Sequence, residues 1–247
     1  MFLRIISIIA VCGVLGCATA DTPSSASTLE PKARAKDSGP EKLAQKAKVP
    51  GFAMSLNVKK DGSPNGETFE AKDDFRVADY IGSGGVWVEG DVCHLAEGND
   101  MTGITWAGPL PKMNFEVTLE AQRTGGNDFF CGLTVPYNDS NVSFVVGGWG
   151  GRLVGISSLD WLDASENGTA KWRDFESNKW YSIRMRITPE RIEAWIDGEQ
   201  LVDVETKDRE VGIRFEMDPT RPFGIATWRT SGAIKNIRLR AFEPGKP

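Results

Sequence analysis

Phe115-Glu-Val-Thr-Leu-Glu-Ala-Gln122 is the stretch whose reading decides the fold. Phe115, Val117, Leu119 and Ala121 alternate with Glu116, Thr118, Glu120 and Gln122. A period of two sends one set to a core and the other towards water, as in a half-buried strand. The alternation returns between Trp180 and Ile187, where Ile183, Met185 and Ile187 oppose Arg184 and Arg186 before a turn at Pro189-Glu190. Ile192, Ala194 and Ile196 form the next apolar face, with Glu193 and Trp195 opposite. Asp197-Gly198 closes a hairpin, because glycine tolerates the positive φ such turns need. Leu201, Val202 and Val204 carry the returning strand. Phe223–Trp228 and Ile234–Phe242 read as two more strands joined at Ser231-Gly232, the last with Ile237, Leu239 and Ala241 inward and Arg238 and Arg240 outward. No segment sustains a helical stripe beyond two turns. Many strands with turn signals about every ten residues point to an all-β sandwich or closed barrel, and a β-sandwich is the expectation.

The N-terminus has the form of an export signal: Arg4 is a positive n-region, Ile5–Leu15 an apolar run, and small residues follow. That run falls short of the roughly 20 apolar residues a bilayer span needs. Two processing sites compete within residues 1–20. Val14-Leu-Gly-Cys17 resembles a lipobox, with Cys17 as the lipidated mature N-terminus; Ala18-Thr-Ala20 resembles an ordinary signal-peptidase site. The first is favoured, since a cysteine directly after the apolar run has little other use. Residues 21–49, rich in Ser, Ala, Lys and Pro, have little to bury and read as a disordered tether. Residues 50–247 suit one domain. The expected location is the bacterial periplasm or cell envelope as a lipoprotein, alternatively secreted, with membrane contact only through an N-terminal lipid anchor.

A formal charge of -5 without long charged blocks argues against nucleic acid and for neutral, diffusible partners. Cys93 and Cys131 each share strand parity with an inward leucine, Leu95 and Leu133. In an oxidising compartment they form either a disulfide or two buried thiols. One histidine and two separated cysteines give no zinc-ligand cluster, and neither metal nor cofactor is expected.

The candidate site spans Asp128-Phe-Phe-Cys-Gly-Leu-Thr134, Val145-Val-Gly-Gly-Trp-Gly-Gly151, Asp160 and Asp163-Ala-Ser-Glu-Asn167. Glycines around Trp149 leave its indole unobstructed and let a ligand approach closely. An indole stacks on the apolar face of a sugar, while carboxylates and amides such as Asn167 bond to its hydroxyls. Trp106, Trp161, Trp172 and Trp228 are the other aromatic candidates; core packing is the alternative for each. Glycoside hydrolysis commonly takes two carboxyl groups about 5 to 10 Å apart. Glu120 or Asp128 paired with Glu166 or Asp163 across a groove meets that demand, against the plainer reading of solvated surface acids. Arg123 and Arg229 either hold a substrate oxygen or make ion pairs. His94, opposite Cys93 and Leu95 in parity, reads as structural. No serine sits in a nucleophile elbow, and the glycine cluster lacks the Gly-Lys-Ser/Thr of a phosphate loop.

Thr102-Gly-Ile-Thr-Trp106, Asp128–Thr134, Val146-Gly-Gly-Trp-Gly-Gly151, Ala164-Ser-Glu-Asn167 and Gly224-Ile-Ala-Thr-Trp-Arg229 together resemble the 3-keto-disaccharide hydrolase domain family, in particular its secreted and lipoprotein branch in Planctomycetes. The likeness covers most of residues 75–242. It implies a concanavalin-like, laminin-G-like jelly-roll sandwich and cleavage of glycosides whose sugar carries a ketone at carbon 3. That ketone acidifies the neighbouring C2–H, so a base removes the proton and the glycosidic oxygen leaves. Such a scheme needs a base, here Asp128 or Glu166, and a donor towards the enolate, here Arg123 or Arg229. The Glu-x-Asp-x-x-Glu signature of sandwich-fold glucanases is absent. Three readings follow: a glycoside hydrolase or lyase of the keto-sugar type, a non-catalytic carbohydrate-binding surface module, and a structural or protein-interaction sandwich.

Overall fold

Period-two sequence makes strands nearly throughout residues 46–245, which the computed structural model describes. In chain order these are β1 (Ala53–Val58), β2 (Pro64–Lys72), β3 (Phe75–Val77), β4 (Val86–Glu89), β5 (Val92–Leu95), β6 (Met101–Trp106), β7 (Phe115–Gly126) and β8 (Cys131–Tyr137). There follow β9 (Ser140–Gly147), β10 (Leu153–Ser157), β11 (Lys171–Trp172), β12 (Tyr181–Ile187), β13 (Arg191–Ile196), β14 (Glu199–Glu205), β15 (Gly224–Trp228) and β16 (Thr230–Ala241). A 3-10 turn, Phe215–Thr220, precedes β15.

The strands form two sheets. The first has the order β14-β13-β12-β7-β16-β1-β2, with β5 on the first part of β16 and β4 beyond it. The second has the order β11-β10-β9-β8-β15-β6-β3 and is antiparallel throughout. In the first sheet only the β1–β16 pairing is parallel. Their inner faces pack on each other through Phe115, Val117, Leu119, Ile183, Met185, Ile192 and Ile196 on one side. Ile104, Leu133, Val135, Phe144, Ile156 and Ile225 face them from the other. This is the concanavalin-like jelly-roll sandwich.

The strand that decided the fold behaves as its sequence demands: β7 alternates buried and half-buried over its first eight residues. β16 shows how a pattern that breaks period two is accommodated. Ile234 and Ile237 are both core residues although three apart. A register shift between Lys235 and Arg238, with Asn236 at φ 56°, inserts the extra residue as a bulge and returns Ile237, Leu239 and Ala241 to the core. Ser231-Gly232 lies inside β16 and is not a turn; the register shift there leaves Thr124 of β7 as the extra residue. The chain instead crosses between sheets at Arg229, held at φ 43°.

β6, β8, β9 and β10 are buried at nearly every position, so the second sheet is covered on both faces. Their outward positions accordingly carry small or hydroxyl residues, such as Gly132, Thr134, Ser143 and Ser157, and no charges. A smaller cluster of Met101, Phe129, Val145, Leu153, Ala164, Met217 and Ala226 lies on the outer face under the 3-10 turn.

Several expectations are corrected. Trp106 is fully buried, edge-on to Phe75 at 4.9 Å, with Nε1 donating to the Pro109 carbonyl, so it packs the core and cannot meet a ligand. Cys93 and Cys131 are free buried thiols on strands of opposite sheets, not a disulfide. The folded part begins before residue 50: Lys48 bridges Arg76 and Val49 is buried in the core. Cys17, the cleavage site at Ala20 and residues 21–45 of the tether lie outside the described residues.

Candidate functional site

The outer face of the second sheet is built for a depression. Its register aligns Gly155, Val145, Gly132, Ala226 and Gly103 across five strands. Such small residues leave the floor low where flanking chains rise. A Cβ on Gly132 would stand 3.1 Å from both the Met217 methyl and the Phe129 ring, so glycine here is what lets those two side chains settle onto the sheet. The resulting cavity measures about 260 Å³. Its apolar wall is Met101, Phe129, Val145, Met217 and Trp228, and its rim carries Trp149; Asp128, Ser157, Arg214 and Glu216 supply the polar groups.

Trp149 is 41 % exposed and sits on a left-handed turn between β9 and β10, with φ 47° and ψ 59°. Gly147 and Gly151 frame it at φ 80° and 92°, and neither tolerates a side chain. A Cβ would meet the Phe130 ring at 2.9 Å in the first case and Arg123 Nη1 at 2.5 Å in the second. Asp128 holds the turn from the cavity side. Its Oδ1 accepts the Phe129 N–H at 2.8 Å and the Trp149 N–H at 3.2 Å, and its Oδ2 accepts the Gly150 N–H at 3.3 Å. Arg123 holds it from beneath, donating to the Gly151 carbonyl at 3.4 Å and the Phe175 carbonyl at 2.6 Å.

Arg214, just before the 3-10 turn, also lines the cavity. Its Nε and Nη2 donate to both carboxylate oxygens of Glu216, at 3.1 and 2.7 Å, and Nη1 donates to Asp163 at 3.0 Å. The hydrogen-bonded Glu216 carboxylate raises the Arg214 guanidinium above the ordinary arginine range; burial opposes this, and Asp163 and Glu166 add to it. The guanidinium is therefore charged at neutral pH.

The residues singled out in the sequence separate cleanly. Asp128 and Trp149 share the cavity. Glu120 does not: it lies on β7 in the other sheet, accepting from Asn236 at 2.6 Å and pairing with Lys235 at 3.6 Å. Asp163 serves as a loop anchor, binding the Ser165 amide and hydroxyl as well as Arg214. Glu166 is exposed and reaches the site only through its charge on Arg214. Asn167 is buried and spent, its Nδ2 donating to the Ile156, Leu162 and Asp163 carbonyls and its Oδ1 accepting from Thr169. Arg123 supports the Trp149 turn from outside the cavity, and Arg229 pairs with Asp100 at 2.6 Å. In place of the expected pairing of Glu120 or Asp128 with Glu166 or Asp163, Asp128 lines the cavity together with Arg214 and Glu216.

Arg214, Glu216, Met217 and Ser157 escaped the sequence reading. The segment Arg214-Phe-Glu-Met-Asp-Pro219 has no strand periodicity, and its charges pair at i, i+2, a spacing that signals nothing by itself. A second depression of about 310 Å³ on the first sheet, around Glu70, Lys72, Asp91 and Arg238, has no exposed aromatic side chain. Among the described residues no three His, Cys, Asp or Glu side chains converge to hold a metal ion.

A family model described as the 3-keto-alpha-glucoside-1,2-lyase-like domain matches residues 96–240, more than half of the chain. The chain belongs to this family. The match spans every cavity residue named above, from Met101 to Trp228, and so places the whole site inside the 3-keto-alpha-glucoside-1,2-lyase-like domain. No curated protein matches the chain significantly. Among solved structures the domain is similar to the carbohydrate-binding module CBM66 from Bacillus subtilis, at 12 % identity and a TM-score of 0.47, over 68 % of this chain and 96 % of that one. It is also similar to the apo Crh5 transglycosylase, at 13 % identity and TM-score 0.46, over 83 % and 91 %. A third is the VIP36 exoplasmic/lumenal domain in its Ca2+/Man3GlcNAc-bound form, at 12 % and 0.45, over 70 % and 85 %.

Proposed function

We propose that this chain acts on glycosides whose sugar carries a ketone at carbon 3, by proton abstraction and elimination in the Trp149 cavity. Family membership supports a carbohydrate-related role. The observation that carries the finer reading is one cavity combining an exposed indole, an apolar wall and a guanidinium–carboxylate pair with unused hydrogen-bonding capacity.

Lone-pair arithmetic separates the two cavity carboxylates. A carboxylate offers about four acceptor positions. Asp128 has three occupied by backbone N–H groups and is committed to the turn. Glu216 has two occupied, one on each oxygen, which leaves one free on each. Glu216 is therefore the base of this reading, and Arg214, with N–H groups to spare, is the donor to the ketone oxygen. Glu216 takes the C2 proton, and the C–H electron pair moves into an enolate that Arg214 stabilises. Collapse of the enolate forms the C1–C2 double bond as the C1–O bond breaks; the leaving alkoxide takes up a proton. Addition of water to the enone completes a net hydrolysis.

The engagement of Asp128 favours a second reading, a saccharide-binding module without turnover, in which the carboxylate only positions Trp149. The test uses the purified chain with ordinary and 3-keto disaccharides, following monosaccharide release and enone absorbance. Glu216→Gln should lower turnover about 10²- to 10⁴-fold, the usual effect of losing a general base. Trp149→Ala should weaken binding. Saturable binding without turnover would select the second reading, and neither binding nor turnover would sink both. Undiminished turnover in Glu216→Gln would remove Glu216 as the base.

A further inference from the structure

Ser157 ends β10 on the cavity face, in register with Ser143 of β9, which is itself in register with Thr134 of β8. Three hydroxyls thus lie in a row across the sheet. Two of them are satisfied: Thr134 and Ser143 bond to each other at 2.9 Å, and Thr220 of the 3-10 turn donates to Thr134 at 2.8 Å. Ser157 is the exception. Its side chain is 2 % exposed, it lines the cavity, and its Oγ has no hydrogen-bonding partner. Few buried side-chain polar atoms are left in this state, since desolvation without compensation is unfavourable. The described residues hold only four others, on Arg76, Tyr80, Arg123 and Arg186, and none of these residues lines the cavity. The remaining polar groups of the cavity, on Asp128, Arg214 and Glu216, all have partners.

We infer that Ser157 is a specificity-determining contact whose hydroxyl bonds to one oxygen substituent of the bound sugar ring. The ring is then gripped from two sides, its apolar face on Trp149 and one oxygen on the sheet floor. This inference rests on the glycoside reading of the cavity and narrows it: sugars lacking that oxygen leave the buried hydroxyl unmet and bind more weakly. Within the row the Ser143 and Thr134 hydroxyls bond to each other, whereas the Ser157 hydroxyl bonds to neither.

The experiment measures binding of methyl 3-keto-glucoside and its monodeoxy analogues by calorimetry, to the wild type and to Ser157→Ala, with thermal melts of both free proteins. In the wild type one deoxy analogue should bind about tenfold more weakly than the parent, the size of one hydrogen bond. Ser157→Ala should weaken the parent by a similar factor and abolish the penalty for that one analogue. The free variant should melt at the same or a higher temperature, since the unmet hydroxyl is gone. A uniform loss across all analogues, unchanged affinity in Ser157→Ala, or a lowered melting temperature assigns Ser157 a structural role and overturns the inference alone. Equal binding of every analogue by the wild type overturns it without recourse to the variant. Failure of the wild type to bind any of these sugars sinks the glycoside reading, and this inference with it.

Discussion

Replacing Asp128 with alanine should loosen the Trp149 turn without unfolding the sandwich. Three backbone N–H groups lose their acceptor, those of Phe129, Trp149 and Gly150. The Phe129 bond is short and part-buried, and a bond to a charged group of that kind contributes about 1.5 to 3 kcal/mol. The bonds to Trp149 and Gly150 are longer and solvent-exposed, so water replaces much of what they supply, and together they add less than about 1 kcal/mol. The sum is roughly 1.5 to 4 kcal/mol. For a domain of this size each kcal/mol moves the melting temperature by about 2 to 4 °C, which gives a fall of about 3 to 16 °C. The turn itself holds a tryptophan at φ 47°, a conformation disfavoured by about 1 to 2 kcal/mol for a residue with a Cβ. Once Asp128 no longer offsets that cost, the indole should leave its native position. The assays are thermal melts, near-ultraviolet circular dichroism in the tryptophan band, and saccharide affinity. A melting temperature within a degree of wild type, with the tryptophan signal intact, would refute the assignment of Asp128 as the anchor of the turn.

Gly151→Ala puts a Cβ 2.5 Å from Arg123 Nη1 at a φ of 92°, and urea titration should show a loss of at least about 1 to 2 kcal/mol. Trp106→Ala removes a fully buried indole and should cost about 3 to 5 kcal/mol, while saccharide affinity of the folded fraction stays unchanged. Burial pushes both the Cys93 and Cys131 thiols up to about 12, from an ordinary value of 9.0. Their contribution is intact below pH 9 and is lost as pH rises towards 12, because the unfolded chain releases those protons first. Relative to a Cys93→Ala/Cys131→Ala variant, wild-type stability should therefore fall by about 3 kcal/mol between pH 8 and 10. In the native protein at pH 8 both thiols should resist a thiol reagent that modifies them promptly in denaturant; prompt native modification would contradict their burial.

Much of the sandwich was legible because period two is a local property. β7, β12 and β13 face the core through the residues their alternation selects, and Asp197, at φ 52° beside Gly198, makes the expected turn. β8 and β9 were harder, since burial on both faces puts small and hydroxyl residues where a half-exposed strand would carry charges. The bulge in β16 was hidden for a related reason: two isoleucines three apart fit no strand until the partner register absorbs the extra residue. At the site, Asp128 and Trp149 were visible as a carboxylate and a glycine-framed indole. Asn167, Arg123 and Arg229 carry the same chemistry in sequence, yet their hydrogen bonds go to their own protein. A polar side chain looks alike on paper whether its partners are backbone carbonyls or a sugar.

The sequence by itself determined the strands, the sidedness of most of them and the residue types that suit a saccharide. Side-chain periodicity and backbone tolerance for positive φ are written into each short segment. Only the tertiary structure decided which polar groups meet. It carried Glu120 to the opposite sheet, brought Arg214 and Glu216 from a distant 3-10 turn into the cavity that Asp128 lines, and left Ser157 without a partner there. Those outcomes depend on strand order and register across segments far apart in the chain, and no local pattern records them.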